Sequence, residues 1–212
     1  MPSPPPLPAA ACRSRWRLAP WLRLLLTCLL VATADLSLKS WAFAHLADPP
    51  VVLTRRNAAD PVFWSTHDFE TRLLVPHLLA MHLVLNRGAV FGWAQGAQVV
   101  FILVSIAALI ALPIVLWRSR PGQWVLHLAL GLILGGAIGN LYDRVRYGAV
   151  RDMLWLFPGV HLPFGLTWGN GQRGVYPWIF NIADAALLCG VVLMTLILWS
   201  QPRAPAGADP RA

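Results

Sequence analysis

This 212-residue chain holds little acid, almost no lysine and too few cysteines for a covalent framework. Nine Asp and Glu stand against seventeen Lys and Arg, and Lys39 is the only lysine. Three cysteines, Cys12, Cys28 and Cys189, cannot form a disulfide scaffold, and none has metal-ligand spacing or a histidine beside it. The chain has no Walker loop, no dinucleotide-binding glycine motif and no internal repeat. No metal and no cofactor is therefore expected. In a chain so poor in acid, each aspartate at the edge of an apolar run is costly and calls for a reason.

What the chain has in excess is apolar sequence: 57% of its residues are hydrophobic and only 12% charged. Four runs suit transmembrane helices, Trp21–Ala44, Val99–Trp117, Trp124–Leu141 and Ile179–Trp199. Each suffices to cross a hydrocarbon core of about 30 Å, which takes about 20 helical residues. The expected fold class is an all-α polytopic membrane protein with four transmembrane helices and a small β-rich segment outside. Residues 1–20 read as a disordered Pro/Arg-rich tail, 21–200 as the membrane domain and 201–212 as a second tail.

The formal charge of +8 is spread along the chain as arginine beside the spans, which argues against a nucleic-acid stripe. Arg13, Arg15, Arg17 and Arg23 precede span one, Arg118 and Arg120 separate spans two and three, and Arg203 and Arg211 follow span four. The positive-inside rule makes these regions cytoplasmic, with both termini inside. A cleaved leader is the alternative for span one: Leu24–Leu30 would be its apolar core and Ala32-Thr33-Ala34 its cleavage site. Apolar residues resume after Asp35, at Leu36, Leu38, Trp41 and Phe43, which favours a retained span.

The connection 45–98 is the one sizeable outer segment, with Val51–Leu53 and Met81–Leu85 expected as short strands. It is too short to bury a core alone and should pack on the helix ends. The second outer connection, 153–178, carries Trp155, Phe157, Phe164, Trp168, Tyr176 and Trp178. These suit an interfacial belt; the nearby glycines would also permit a lid. Gly131, Gly135 and Gly139 bare one face of span three for close helix packing, within the chain or between two copies.

The polar residues at the span edges form the candidate site. Asp35 and Lys39 are four apart, hence on one helix face, and read as an internal ion pair. Asn86 lies in Asn86-Arg87-Gly88, where a turn is the plain reading. Asn140 and Asn181 each stand three residues before an acid; Asn181 reads as a helix cap or as a donor to a carboxylate. Asp184 pairs with either Asp143 or Asp152, and spacing does not choose between them. Arg144 beside Asp143 suggests a salt-bridged loop acid. Two carboxyls at one membrane surface suggest general acid–base chemistry; a proton-coupled transporter relay is the rival, though it predicts repeats that are absent.

Together the motifs resemble the lipoprotein signal peptidases, or signal peptidase II. The likeness rests on five blocks in order: Asp35-Leu-Ser-Leu-Lys39, Asn86-Arg-Gly-Ala-Val-Phe91, Gly135-Gly-Ala-Ile-Gly-Asn-Leu-Tyr-Asp-Arg144, Gly148-Ala-Val-Arg-Asp152 and Phe180-Asn-Ile-Ala-Asp184. The resemblance implies an aspartic endopeptidase with its catalytic dyad at Asp152 and Asp184. It implies supporting roles for Asn86, Asn140, Arg144 and Asn181, and structural ones for Asp35, Lys39 and Asp143. It further implies diacylglyceryl-modified prolipoproteins as substrates, cut just before the lipidated cysteine, and membrane lipid as surroundings. A monomer in the bacterial inner membrane, with the site at the outer face and no nucleic-acid partner, completes the expectation. Arg151 departs from the family, which more often has an apolar residue there, and a charge beside Asp152 is expected to shift its pKa. The stretch between Asp152 and Asp184 is longer than usual.

Overall fold

The computed structural model describes residues 9–47, 50–65, 69–88 and 98–200. The first eight residues, the second tail at 201–212 and the Ala89–Phe91 part of the Asn86 block lie outside them. Six α-helices and four strands follow in chain order among the described residues, with a 3-10 turn at Pro163–Gly165 between β3 and β4: α1 (Ala9–His45), α2 (Arg55–Ala59), α3 (Pro61–Ser65), β1 (Arg72–Val75), β2 (Leu79–Asn86), α4 (Gln98–Arg118), α5 (Trp124–Tyr147), β3 (Val150–Leu156), β4 (Ile179–Phe180) and α6 (Ile182–Ser200). Among the described residues, helices α1, α4, α5 and α6 contain the four stretches long and apolar enough to cross a membrane.

Helix α5 is the central post. Its glycines face α1 in parallel register, Gly131 against Leu24 and Thr27, Gly135 against Cys28 and Val31, Gly139 against Asp35. A Cβ on Gly135 would sit 2.8 Å from both the Cys28 carbonyl oxygen and Val31 Cβ. The bare face is therefore spent inside the chain. Gly136 and Gly190 do the same between α5 and α6: a Cβ there would meet the Ala183 carbonyl and the Ala129 carbonyl. Apolar packing with α4 fills the remaining side, where Leu24, Leu116, Leu130 and Leu134 are buried. At the arginine-rich end, Arg23 donates to the Pro121 carbonyl oxygen at 2.8 Å, tying α1 to the α4–α5 turn.

A four-stranded antiparallel sheet, ordered β1-β2-β3-β4, sits at the other end of the bundle. It has no core of its own. Met81, Leu83 and Met153 bury instead against Ala42 and Phe43 of α1 and against Val51, as a segment this small requires.

Several expectations change. Val51–Leu53 is not a strand; Val51 is a buried core residue on the approach to α2, whose start Thr54 caps. Helix α1 begins at Ala9, so residues 9–20 are helical where a disordered tail was expected. Span three continues to Tyr147, which places Asp143 and Arg144 inside the helix with Asn140, not in a loop after it. Gly148 ends it in the left-handed conformation, φ 79°, that glycine adopts without penalty. Span four starts at Ile182, and Ile179–Phe180 is a strand paired with Leu154 and Trp155. The 153–178 connection folds as a long hairpin: Val175 N donates to Val160 O at 2.9 Å and Leu162 N to Arg173 O at 2.7 Å.

Candidate active site

Asp152 comes from β3 and Asp184 from the first turn of α6, and asparagines from three further places join them. Asn181, just ahead of α6, accepts from Asp184 N at 2.9 Å through Oδ1, while its own N–H donates to Asp184 Oδ2 at 3.2 Å. That reciprocal cap is what Asn at a helix start and an acid three residues on provide. Asn181 Nδ2 also donates to Asp152 Oδ1 at 2.6 Å. Asn86, the last residue of β2, donates to Asp152 Oδ2 at 3.0 Å. Asn140 of α5 donates to Asp184 Oδ1 at 2.8 Å. Each of the four carboxyl oxygens thus has one donor and a lone pair left over for water or substrate.

Beneath the pair lies a buried ionic frame. Lys39 Nζ reaches Asp35 Oδ2 at 2.7 Å, Asp143 Oδ2 at 3.2 Å and Asn140 Oδ1 at 3.0 Å. Because an ammonium only donates, it fixes which end of the Asn140 amide faces it and turns the NH₂ toward Asp184. Asp35 Oδ1 accepts from Ala183 N at 2.9 Å, so a carboxylate of α1 satisfies a donor at the start of α6. The expected Asp35–Lys39 pair is present, and it reaches further than a pair.

Asp143 is not a loop acid paired with Arg144. It is fully buried in α5 and is held by Arg151: Nε at 3.0 Å, Nη2 at 2.9 Å and the backbone N–H at 3.0 Å. Arg151 also donates to Ser40 Oγ at 3.3 Å and lies 4.8 Å over the Tyr147 ring. Neighbours on a strand point to opposite faces, so Arg151 turns away from Asp152 toward α5. Arg144 instead makes long contacts to the Asn140 and Gly88 carbonyls, 3.5 and 3.4 Å, and lies 4.9 Å over Phe101. Among the described residues, much of its hydrogen-bonding capacity has no partner.

Burial, followed by the nearby Asp184 carboxylate, pushes the Asp152 carboxyl from 3.8 up to about 8, against the pull of the Asn86 and Asn181 amides. Two buried carboxyls that resist double ionisation hold one proton between them. Tyr176 of the aromatic hairpin also feels both acids: burial and then Asp184 and Asp152 raise its phenol. Its carbonyl accepts from Trp155 Nε1 at 3.0 Å, which fastens that hairpin arm beside the pair. The sequence puts Tyr176 in the aromatic connection and Arg151 beside Asp152, but it assigns neither of them, nor Ser40, a place in the site. Among the described residues, no three His, Cys, Asp or Glu side chains are grouped as a metal site requires.

Residues 27–200 match the family described as signal peptidase (SPase) II. The chain belongs to the signal peptidase II family. It is similar to a protein named lipoprotein signal peptidase from Methylobacterium sp. (strain 4-46), 38% identical over 131 residues, 60% of this chain and 71% of the relative. A protein of the same name from Halothermothrix orenii is 33% identical over 130 residues, covering 61% and 77%. A solved "Bacterial membrane enzyme structure by the in meso method at 2.3 A resolution" shares the fold, with TM-score 0.61 at 24% identity over 88% of this chain and 94% of that one. As a signal peptidase II the chain is an aspartic peptidase and a multi-pass membrane protein, so the transporter alternative has no support.

Proposed function

We propose that Asp152 and Asp184 are the catalytic dyad with which this signal peptidase II removes signal peptides from prolipoproteins. The observation that carries this is the cross-linked carboxyl pair: two acids on a strand and a helix start, each oxygen with one asparagine-derived donor and room for one more partner. One carboxylate takes a proton from water as the water oxygen attacks the scissile carbonyl. The other carboxyl gives its proton to the carbonyl oxygen, forming a tetrahedral diol. Collapse breaks the C–N bond, with a proton delivered to the leaving amine, and the pair again holds one proton. Asn140 and Asn181 steady the acids, and Arg144 offers N–H donors to substrate carbonyl or ester oxygens.

The substrate class is the diacylglyceryl-modified prolipoprotein, cut just before the lipidated cysteine. Supporting this is the site's depth, at the sheet end of the bundle where spans α1, α5 and α6 meet the sheet. There a signal helix and lipid chains stay in hydrocarbon while the scissile bond meets water. The arginine-rich α4–α5 turn lies at the opposite end, which favours cytoplasmic termini and an outward site in the bacterial inner membrane. The glycine face is filled within the chain, in keeping with a working monomer.

Asp152→Asn and Asp184→Asn should each abolish cleavage of a lipid-modified precursor, followed by gel shift in detergent with chelator present. The double variant should be little worse, because the pair acts as one unit. Turnover near wild type by either single variant would overturn the assignment.

A further inference from the structure

On the face of α5 turned away from the dyad lies an apolar groove of about 530 Å³, lined by Ile138, Leu141, Tyr142 and Val145 and flanked by Arg55 and Arg146. Ile138 and Tyr142 are each two residues from Asn140, about 200° round the helix, so groove and dyad do not share a wall of α5. The two arginines come from separate elements, α2 and the last turn of α5. Neither has a carboxylate partner among the described residues. Both are exposed, and so are Tyr142 and Val145.

We infer that this groove binds an anionic glycerophospholipid of the surrounding leaflet, an acyl chain along α5 and the headgroup phosphate between Arg55 and Arg146. Depth and charge both select that occupant. The groove occupies the sheet-side end of a membrane-spanning helix, where apolar side chains give way to arginine within one turn, Val145 to Arg146. A lipid presents the same succession, hydrocarbon and then phosphodiester, and a zwitterionic headgroup brings its own cation up against the two guanidinium groups where an anionic one does not. A phosphate held by both arginines also ties α2 to α5. Helix α2 is linked onward, since Arg87 Nη2 donates to the Ala58 carbonyl at 2.7 Å directly after Asn86.

The test is native mass spectrometry of the full chain released from detergent, titrated with dioleoylphosphatidylglycerol, dioleoylphosphatidylcholine or water-soluble glycerol phosphate. Wild type should retain phosphatidylglycerol in preference to phosphatidylcholine and should retain no glycerol phosphate. Arg55→Gln and Arg146→Gln should each weaken phosphatidylglycerol retention about fivefold, the value of one basic residue at an anionic surface. The exposed control pair Arg72→Gln and Arg173→Gln should change nothing. Equal retention of the two lipids, equal losses in the control pair, or full binding by the Arg55/Arg146 double variant would overturn the inference. Glycerol phosphate retained as well as the lipid would reassign the arginines to a free-phosphate site.

Discussion

Arg151→Met strikes the frame beneath the dyad without touching the dyad. In the native chain Asp143 is 0% exposed and Arg151 3% exposed, so solvent does little to screen their pairing. Methionine keeps the backbone N–H that donates to Asp143 Oδ2 and much of the apolar stem. It removes the guanidinium bonds at 3.0 and 2.9 Å, the contact with Ser40 and the cation over Tyr147. Asp35 and Asp143 then share Lys39 alone, one negative charge in excess inside the protein. Breaking a buried pair on one side costs about 3–5 kcal/mol, and the surviving Lys39 contact puts the expectation at the lower end, about 3 kcal/mol. Arg151→Lys keeps the charge and loses the fork, at a cost of about 1.5 kcal/mol, one charged hydrogen bond. In the Arg151→Met/Asp143→Asn double variant the excess charge is gone, so its loss should fall short of the summed singles by about 1–3 kcal/mol. Equilibrium unfolding in mixed micelles reads all three values. Unfolding of Arg151→Met within about 0.5 kcal/mol of wild type, or strict additivity in the double variant, would refute the clamp.

Gly135→Ala should destabilise by about 1–3 kcal/mol, since backbone oxygen and a β-branched side chain on α1 leave its methyl no space, whereas Gly122→Ala, with nothing within 4 Å, should be silent in the same unfolding assay. The raised carboxyl of Asp152 makes the folded state bind its proton more tightly than the unfolded chain does. Its stabilising contribution is therefore complete below about 4 and is lost as pH rises toward about 8, so the melting temperature of Asp152→Asn should gain on wild type between pH 5 and pH 8. Cleavage by wild type should fall on an alkaline limb near 8, where the pair loses its shared proton; a flat profile through pH 9 would contradict the shared-proton mechanism.

Run length alone located the four spans, because hydrocarbon thickness sets helix length whatever the packing. Spacing alone located the Asp35–Lys39 pair, because four residues make one helical turn. The partners of Asp143 did not follow from spacing. Arg144 is turned about 100° away from it and Arg146, three residues on, is exposed while Asp143 is buried; the guanidinium that reaches Asp143 arrives from a strand eight residues on. Strand β3 itself was hidden. In Val-Arg-Asp-Met-Leu-Trp-Leu both faces are buried, so the alternation that marks a half-exposed strand is missing. That two adjacent charges, Arg151 and Asp152, serve opposite faces is a statement about the strand and not about either residue. Choosing Asp152 over Asp143 needed the family blocks for the same reason.

The single lysine of the chain supports one further argument. Its ammonium has three N–H bonds and three acceptors, at 2.7, 3.0 and 3.2 Å, on α1 and α5. A tetrahedral donor on a flexible stem can serve three oxygens arranged around it; a planar guanidinium offers its donors as a fork in one plane. If charge alone mattered, Lys39→Arg would be close to neutral. If the directed bonds matter, the longer planar group cannot replace all three in a fully buried space, and Asn140 is the acceptor with least electrostatic hold on it. With the lysine bond gone, Asn140 Oδ1 is left to Asn181 Nδ2 at 3.1 Å, so the Asn140 amide presents its NH₂ to Asp184 less firmly and the dyad's donor is weakened. Lys39→Arg should accordingly insert in the membrane and lose cleavage by at least tenfold in kcat, with KM for the lipidated precursor little changed, while Lys39→Met should also fail to accumulate. Wild-type kcat in Lys39→Arg would show that the lysine supplies charge and nothing more, and would remove Asn140 orientation from the account of the site.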